Sequence, residues 1–195
     1  MSSAKRIGIL GGTFDPPHIV HILMAEEAVN KIPLEKVLFM PAPNPPHKTS
    51  ELETPYYLRL RMVELAIAGH PSLELSRMEE FRNGPSFTID LLKHYRERYD
   101  DDLFFIIGAD TLSDLPNWKD PEGVLKLATL VVFPRTGFPP ILPIHGNASI
   151  VLFEAPIIDI SSSDIRVKLA KGESVAEFLP KGVQNFILDN SLYVQ

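Results

Sequence analysis

The sequence predicts an α/β fold, a single domain over residues 1–195, with a parallel sheet covered by helices on both faces. Three observations predict it. Short, almost wholly apolar runs alternate with stretches whose apolar residues recur at helical spacing. No Gly- or Ser-rich linker and no internal repeat divides the chain, and its length is enough to bury a substantial core. Of the 18 prolines, eight gather at Pro41–Pro46 and Pro134–Pro143, in connections rather than inside the periodic segments.

Taken in order, Arg6–Leu10 is a buried strand ending at Gly11-Gly12. A tight turn through Thr13, Phe14 and Asp15 leads to a helix over Pro17–Ile32. Asp15 is placed as its N-cap, with Pro16 at the first helical position. Lys36–Met40 is the second strand, and Pro55–Ala68 and Ser86–Tyr99 are helices. Leu103–Ile107 is the next strand, followed by a short helix over Pro121–Leu127 and the strands Leu130–Phe133 and Ile150–Phe153. Helices over Ser163–Lys171 and Val183–Asp189 complete the chain, and Arg135–Asn147 is expected to be a loop. Right-handed crossovers are expected throughout.

Composition narrows the function. The formal charge of −6 argues against a broad nucleic-acid-binding face, which needs clustered Lys and Arg. A small nucleotide remains compatible, because a few well-placed cations suffice. The absence of cysteine excludes disulfides, thiolate nucleophiles and cysteine-based zinc or iron–sulfur sites. No apolar stretch reaches membrane-spanning length, and MSSAKR leads straight into a strand without a signal-peptide core, so a soluble, cytoplasmic protein is expected.

Three clusters suit phosphate. The first is the glycine turn followed by His18 and His21, three apart and therefore on one helix side. A strand, a glycine turn and a helix N-terminus together present free backbone N–H groups and a positive dipole end. Two imidazoles add donors for negative charge on a transferring phosphoryl group. The glycines fit neither the G-x-G-x-x-G dinucleotide spacing nor a P-loop, and no third ligand at metalloprotease spacing accompanies the histidines, so no protein-built metal site is expected. The second cluster is Pro41-Ala-Pro-Asn-Pro-Pro-His-Lys48, a proline-restricted loop ending in a mobile cation. The third is Ile160-Ser-Ser-Ser-Asp-Ile-Arg166, where Ser161 and Asp164 form a capping box and Arg166 follows one short turn later. Taken singly, each has a plain alternative: buried or exposed histidines, a surface turn, a capped helix.

The ordered set G-T-F-D-P-x-H-x-x-H, P-x-x-x-P-P-H-K and I-S-S-S-x-I-R resembles the H-x-G-H nucleotidyltransferase superfamily, and within it the bacterial nicotinate-nucleotide adenylyltransferases. Gly84-Pro-Ser-Phe-Thr-Ile-Asp90, Gly108-Ala-Asp110 and Leu115-Pro-Asn-Trp-Lys119 extend the match over nearly the whole chain. The resemblance implies a Rossmann-like nucleotidyltransferase fold. It also implies adenylyl transfer from ATP to nicotinate mononucleotide, giving deamido-NAD and pyrophosphate without a covalent enzyme intermediate. His18, His21, Lys48 and Arg166 then carry the chemistry at the phosphates. Gly11, Gly12, Thr13, Phe14, Gly108, Asp110, Ser162 and Ser163 are expected at ATP, with Asp110 at the ribose. Trp118 is expected to stack on the nicotinate ring, with Thr88 and Asn44 as polar contacts. Mg2+ would arrive with ATP, held mainly by phosphates and water. His47, His70, His94 and His145 belong to no cluster.

Two features depart from the family pattern. The glycine between the signature histidines is Val20, which bears on how closely ATP can approach, and Ala42 and Pro43 stand where relatives often carry asparagines. Other readings stay open: an adenylyltransferase for nicotinamide mononucleotide, phosphopantetheine or another phosphorylated substrate, or a nucleotide-binding protein without catalysis. Homo-oligomer formation is also left open.

Overall fold

The computed structural model describes residues 4–45, 54–81, 84–139, 149–154 and 159–194. Within them six strands form one parallel sheet in the order β3-β2-β1-β4-β5-β6. These are β1 (Arg6–Gly12), β2 (Lys36–Pro41), β3 (Leu73–Leu75), β4 (Asp102–Gly108), β5 (Thr129–Phe133) and β6 (Ile150–Leu152). The helices are α1 (Ile19–Lys31), α2 (Tyr56–Ala66), α3 (Thr88–Arg96), α4 (Ala109–Asp114), α5 (Pro121–Leu127), α6 (Ser162–Ala170) and α7 (Lys181–Asp189), with a 3₁₀ turn at Leu115–Asn117.

The apolar strands divide their side chains by twos between two cores, as a sheet covered on both faces requires. Leu10, Val37, Phe39, Phe104, Ile106 and Val131 pack with α1, α2, α6 and α7. Ile7, Ile9, Leu38, Phe105, Ile107 and Leu130 pack with α3, α4 and α5. Gly8 lies where the first layer is thinnest: a Cβ there would stand 2.7 Å from the Val37 side chain and 2.9 Å from Leu34. A close backbone approach thus explains a glycine inside a strand.

The chain runs outward in one direction over β1, β2 and β3, then returns to β4 beside β1. This reversal opens a crevice beyond the carboxyl ends of β1 and β4, the usual ligand position in such sheets. Gly12 ends β1 and Gly108 ends β4, so both glycine turns singled out in the sequence meet there.

Several expectations shift. Residues 11 and 12 extend β1 and pair with Met40 and Pro41 of β2 rather than forming the turn. α1 begins later than Pro17, and its N-cap is His18, not Asp15. Asp15 is a buried carboxylate, 2% exposed, that accepts a hydrogen bond from the Tyr193 hydroxyl at 2.6 Å. Both β3 and α4 were unexpected. The segment Leu73–Leu75 has three residues, and α4 has six, too few for either periodicity to declare itself.

Candidate active site

The crevice holds a cavity of about 620 Å³ that runs from the end of β1 to the 3₁₀ turn. One end is built by the β1–α1 connection. Gly11, Gly12, Thr13 and Phe14 line it, and Phe14 adopts a positive φ of 53° with its ring buried against Phe39. That fold-back sets the Phe14 ring 5.0 Å from His21, edge to face.

His18 and His21 also line the cavity, with ring centroids 3.8 Å apart. Being N-cap and third helical residue, they meet across the first turn of α1. The backbone N–H of His18 donates to Nδ1 of His21 at 3.1 Å. That bond leaves the proton of a neutral His21 on Nε2, which becomes its donor. The His18 ring faces the His21 backbone across the same turn, but its Nδ1 is buried and makes no hydrogen bond of ordinary geometry. Burial first, then the charges of His21 and Arg135, hold the His18 imidazole well below its usual value of 6.5. At neutral pH it is therefore an uncharged donor-acceptor ring.

This depression has a measurable consequence. The unfolded chain takes up a proton near pH 6.5, whereas folded His18 resists it until lower pH. The His18 contribution is complete above that value and is lost as the pH falls through it toward the folded value. Thermal unfolding scanned from pH 7 to pH 5 should lose Tm more steeply for the native chain than for His18→Asn. Parallel slopes would remove His18 as the source.

The opposite wall is the start of α6. The expected capping box is present: the Asp164 N–H donates to Ser161 Oγ at 3.1 Å, and the Ser161 N–H to the Asp164 carboxylate at 2.9 Å. This helix start is bound to the β1 turn although some 150 positions separate them. Ser162 Oγ donates to the Pro16 carbonyl at 2.8 Å, and Arg166 Nη1 to the Asp15 carbonyl at 2.9 Å. Ser161, Ser162, Ser163 and Arg166 all line the cavity. A helix N-terminus, two imidazoles and a guanidinium therefore face one volume, a combination suited to a polyanion.

At the β4 end, Gly108 and Asp110 line the cavity, and a side chain at Gly108 would take the space of the Asp110 carboxylate. Arg135, just beyond β5, stands with Nε 3.7 Å from that carboxylate. In the sequence Arg135 belongs to the expected 135–147 loop, and its place just past the carboxyl end of a parallel strand is the signal that points to the crevice. The far end is apolar. Trp118 follows the 3₁₀ turn and meets Phe105 edge to face at 6.2 Å, while Thr88 begins α3. Both line the cavity, as does Lys119, whose Nζ pairs with Asp90 at 2.9 Å.

Not every expected residue faces this volume. Asn44 is exposed, and its side-chain amide donates to the Gly84 carbonyl at 3.3 Å, which ties the proline loop to the 84–86 segment. Lys48 and His47 lie outside the described residues. Val20 forms part of the wall and also packs against the first core, so its branched side chain occupies space at the histidine end. His70 pairs with Glu26 at 2.7 Å and His94 contacts Arg98, both away from the cavity. Buried Glu79 also lines the wall and was not anticipated. Among the described residues no three His, Asp or Glu side chains gather as a metal-binding group, and no helix is long and apolar enough to cross a membrane.

The cytidylyltransferase-like family model matches residues 9–168, which take in the carboxyl half of β1, the strands β2 to β6, both histidines and the α6 start. The chain belongs to that family. It is 40% identical over 189 residues to a probable nicotinate-nucleotide adenylyltransferase of Geobacillus thermodenitrificans (strain NG80-2), covering 96% of this chain and 86% of the relative. A protein of the same description from Citrifermentans bemidjiense (strain ATCC BAA-1014 / DSM 16622 / JCM 12645 / Bem) is 38% identical over 213 residues, covering 97% and 98%. The fold matches the Plasmodium falciparum nicotinic acid mononucleotide adenylyltransferase complexed with NaAD, with a TM-score of 0.83, 22% identity and 97% of each chain covered. The α/β architecture expected from strand–helix alternation is thus the family's architecture.

Proposed function

We propose that this protein is a nicotinate-nucleotide adenylyltransferase, joining ATP to nicotinate mononucleotide to give deamido-NAD and pyrophosphate. One observation carries the reading: two histidines in ring contact, with His18 held neutral by burial, converge with Arg166 and the α6 N-terminus on one end of a cavity whose other end carries Trp118 and Thr88. The first end suits a triphosphate and the second a flat heteroaromatic ring. Relatives about 40% identical over nearly the full chain carry the same name.

A phosphate monoester is largely dianionic at neutral pH, because its second ionisation lies near 6. The mononucleotide therefore needs no general base. Its phosphate oxygen attacks the α-phosphorus of ATP, a new P–O–P bond forms, and the bond to the β-phosphate breaks to release pyrophosphate. The protein's task is alignment and stabilisation of charge on the reacting and leaving oxygens. His18, held neutral, and His21 serve as N–H donors, Arg166 and Lys48 as cations, and Ser162 and Ser163 as donors at the helix start. Gly11, Gly12, Thr13 and Phe14 bring the backbone close to the nucleotides, while Gly108 and Asp110 lie at the adenosine. Trp118 stacks on the pyridine ring with Thr88 beside it; Asn44 acts indirectly, by holding the loop to residues 84–86. Four carboxylates line the cavity, Asp15, Glu79, Asp110 and Asp114; Asp15 accepts from Tyr193, Asp110 is engaged by Arg135, and among the described residues no three acidic or histidine side chains gather as a metal-binding group. Mg2+ accompanying ATP would be held mainly by the phosphates and water, and would neutralise charge on them. We place this chemistry in the cytoplasm.

The test is direct. The protein is incubated with ATP and either nicotinate or nicotinamide mononucleotide, and pyrophosphate and dinucleotide are quantified. The expected result is equimolar pyrophosphate and deamido-NAD, with the carboxylate substrate preferred in kcat/KM. Preference for the amide would overturn the substrate assignment, and ATP binding without product would favour a non-catalytic nucleotide-binding protein.

A further inference from the structure

Behind the cavity, on α2, Arg59 is 1% exposed. A guanidinium out of water is tolerable only when its N–H groups find acceptors. Arg59 directs four of its five donors to backbone carbonyls. Nη1 donates to Thr13 at 2.7 Å and to Ala42 at 2.9 Å, Nη2 to Pro43 at 3.3 Å, and Nε to Thr54 at 3.2 Å. Tyr56 stacks against it, with its ring centroid 5.3 Å from the guanidinium carbon.

These acceptors come from different walls. Thr13 belongs to the turn after β1, and Ala42 and Pro43 to the loop after β2; Thr13 and Ala42 also line the cavity. Arg59 does not line it. A second tie runs in parallel: the Tyr193 hydroxyl accepts from Thr54 Oγ1 at 2.8 Å and donates to Asp15 at 2.6 Å. Both ties therefore connect Thr54 to the β1 turn, and Arg59 alone of the two reaches the β2 loop.

We propose that Arg59 is a positioning residue that sets the spacing between the β1 turn and the β2 loop, and through it the alignment of the two bound nucleotides. The inference rests on the adenylyltransferase reading. The planar fork matters as much as the charge, because a lysine ammonium has three donors at one point and cannot span three segments.

The test is Arg59→Lys in the full chain, with Tyr56→Leu as a milder loosening of the same guanidinium. Kd values are measured by calorimetry for ATP, for the mononucleotide that the unaltered enzyme accepts, and for the dinucleotide formed from them. Turnover is normalised to the folded fraction. A misalignment of about an ångström is worth up to about 100-fold in rate. Arg59→Lys should bind each half within about threefold of the unaltered protein, yet bind the dinucleotide, which spans both walls, about 10- to 100-fold more weakly, with a matching fall in kcat. Tyr56→Leu, which removes the ring lying against the guanidinium, should shift the dinucleotide Kd and kcat in the same direction by about 3- to 10-fold, and it decides the matter if Arg59→Lys does not fold. A lowered Tm with dinucleotide affinity and kcat per folded molecule unchanged overturns the proposal. Failure of the unaltered protein to form any dinucleotide overturns the functional reading instead; Arg59→Lys binding of NAD and deamido-NAD against ATP still tests the spacing.

Discussion

Replacing His21 by alanine is expected to lower turnover by about 10²- to 10³-fold, the usual loss on removing one preorganised donor to developing negative charge. The structure explains why the loss should fall on kcat rather than on folding. His21 is only partly buried, and it contacts Phe14 and His18 through its ring. Its Nδ1 accepts the N–H of His18, so truncation removes one capping interaction worth about 1 kcal/mol. In a protein of this size that is a Tm shift of about 2–4 °C. His21→Asn, which keeps a side-chain acceptor for the His18 N–H, should recover the Tm without recovering the rate. Steady-state kinetics with ATP and nicotinate mononucleotide, paired with calorimetric unfolding, makes the comparison. A kcat for His21→Ala within about threefold of the native value would remove His21 from the mechanism.

Arg166→Met is expected to lower kcat/KM for ATP by about 10²- to 10³-fold, because a guanidinium facing a transferring phosphoryl group is among the largest single contributors to such sites. Arg166 also bonds the Asp15 carbonyl, so charge and docking must be separated. Ser162→Ala does so. It deletes the other bond between α6 and the turn, that to the Pro16 carbonyl, and leaves the charge in place. Its decline should stay within about tenfold, the scale of one neutral hydrogen bond. Arg166→Lys restores the charge without the fork and should recover only part of the loss. If Ser162→Ala falls as far as Arg166→Met, Arg166 acts by docking the helix and the charge argument fails.

The residues that were legible in the sequence share a physical origin. Strands β1, β2, β4 and β5 are buried on both faces, so their apolar runs stand out against any background. The α6 capping box is a contact between neighbours in the chain, and its Ser161–Asp164 spacing carries it entirely. By contrast, Asp15 was misassigned as a cap because its partner, the Tyr193 hydroxyl, lies 178 positions away. Arg135 and Arg59 likewise act through partners distant in the chain: Arg135 carries only the mark of standing just after a strand, and Arg59 lies inside a helix. Arg59 sits beside Leu60, Met62 and Val63, but Arg61 and Glu64 share the same helix, so composition gives it no mark.

By itself, then, the sequence determined the α/β class, the two glycine-ended strands, the histidine pair and the capped serine helix, because periodicity, caps and turns depend on neighbours a few residues apart. The tertiary structure decided the rest. It turned the His18 ring into a neutral buried donor, bound α6 to the Asp15–Pro16 carbonyls, moved Asn44 out of the cavity and set Arg59 behind it. Each of these depends on burial or on hydrogen bonds between segments distant in the chain, and neither quantity is defined until the sheet has closed the crevice between β1 and β4.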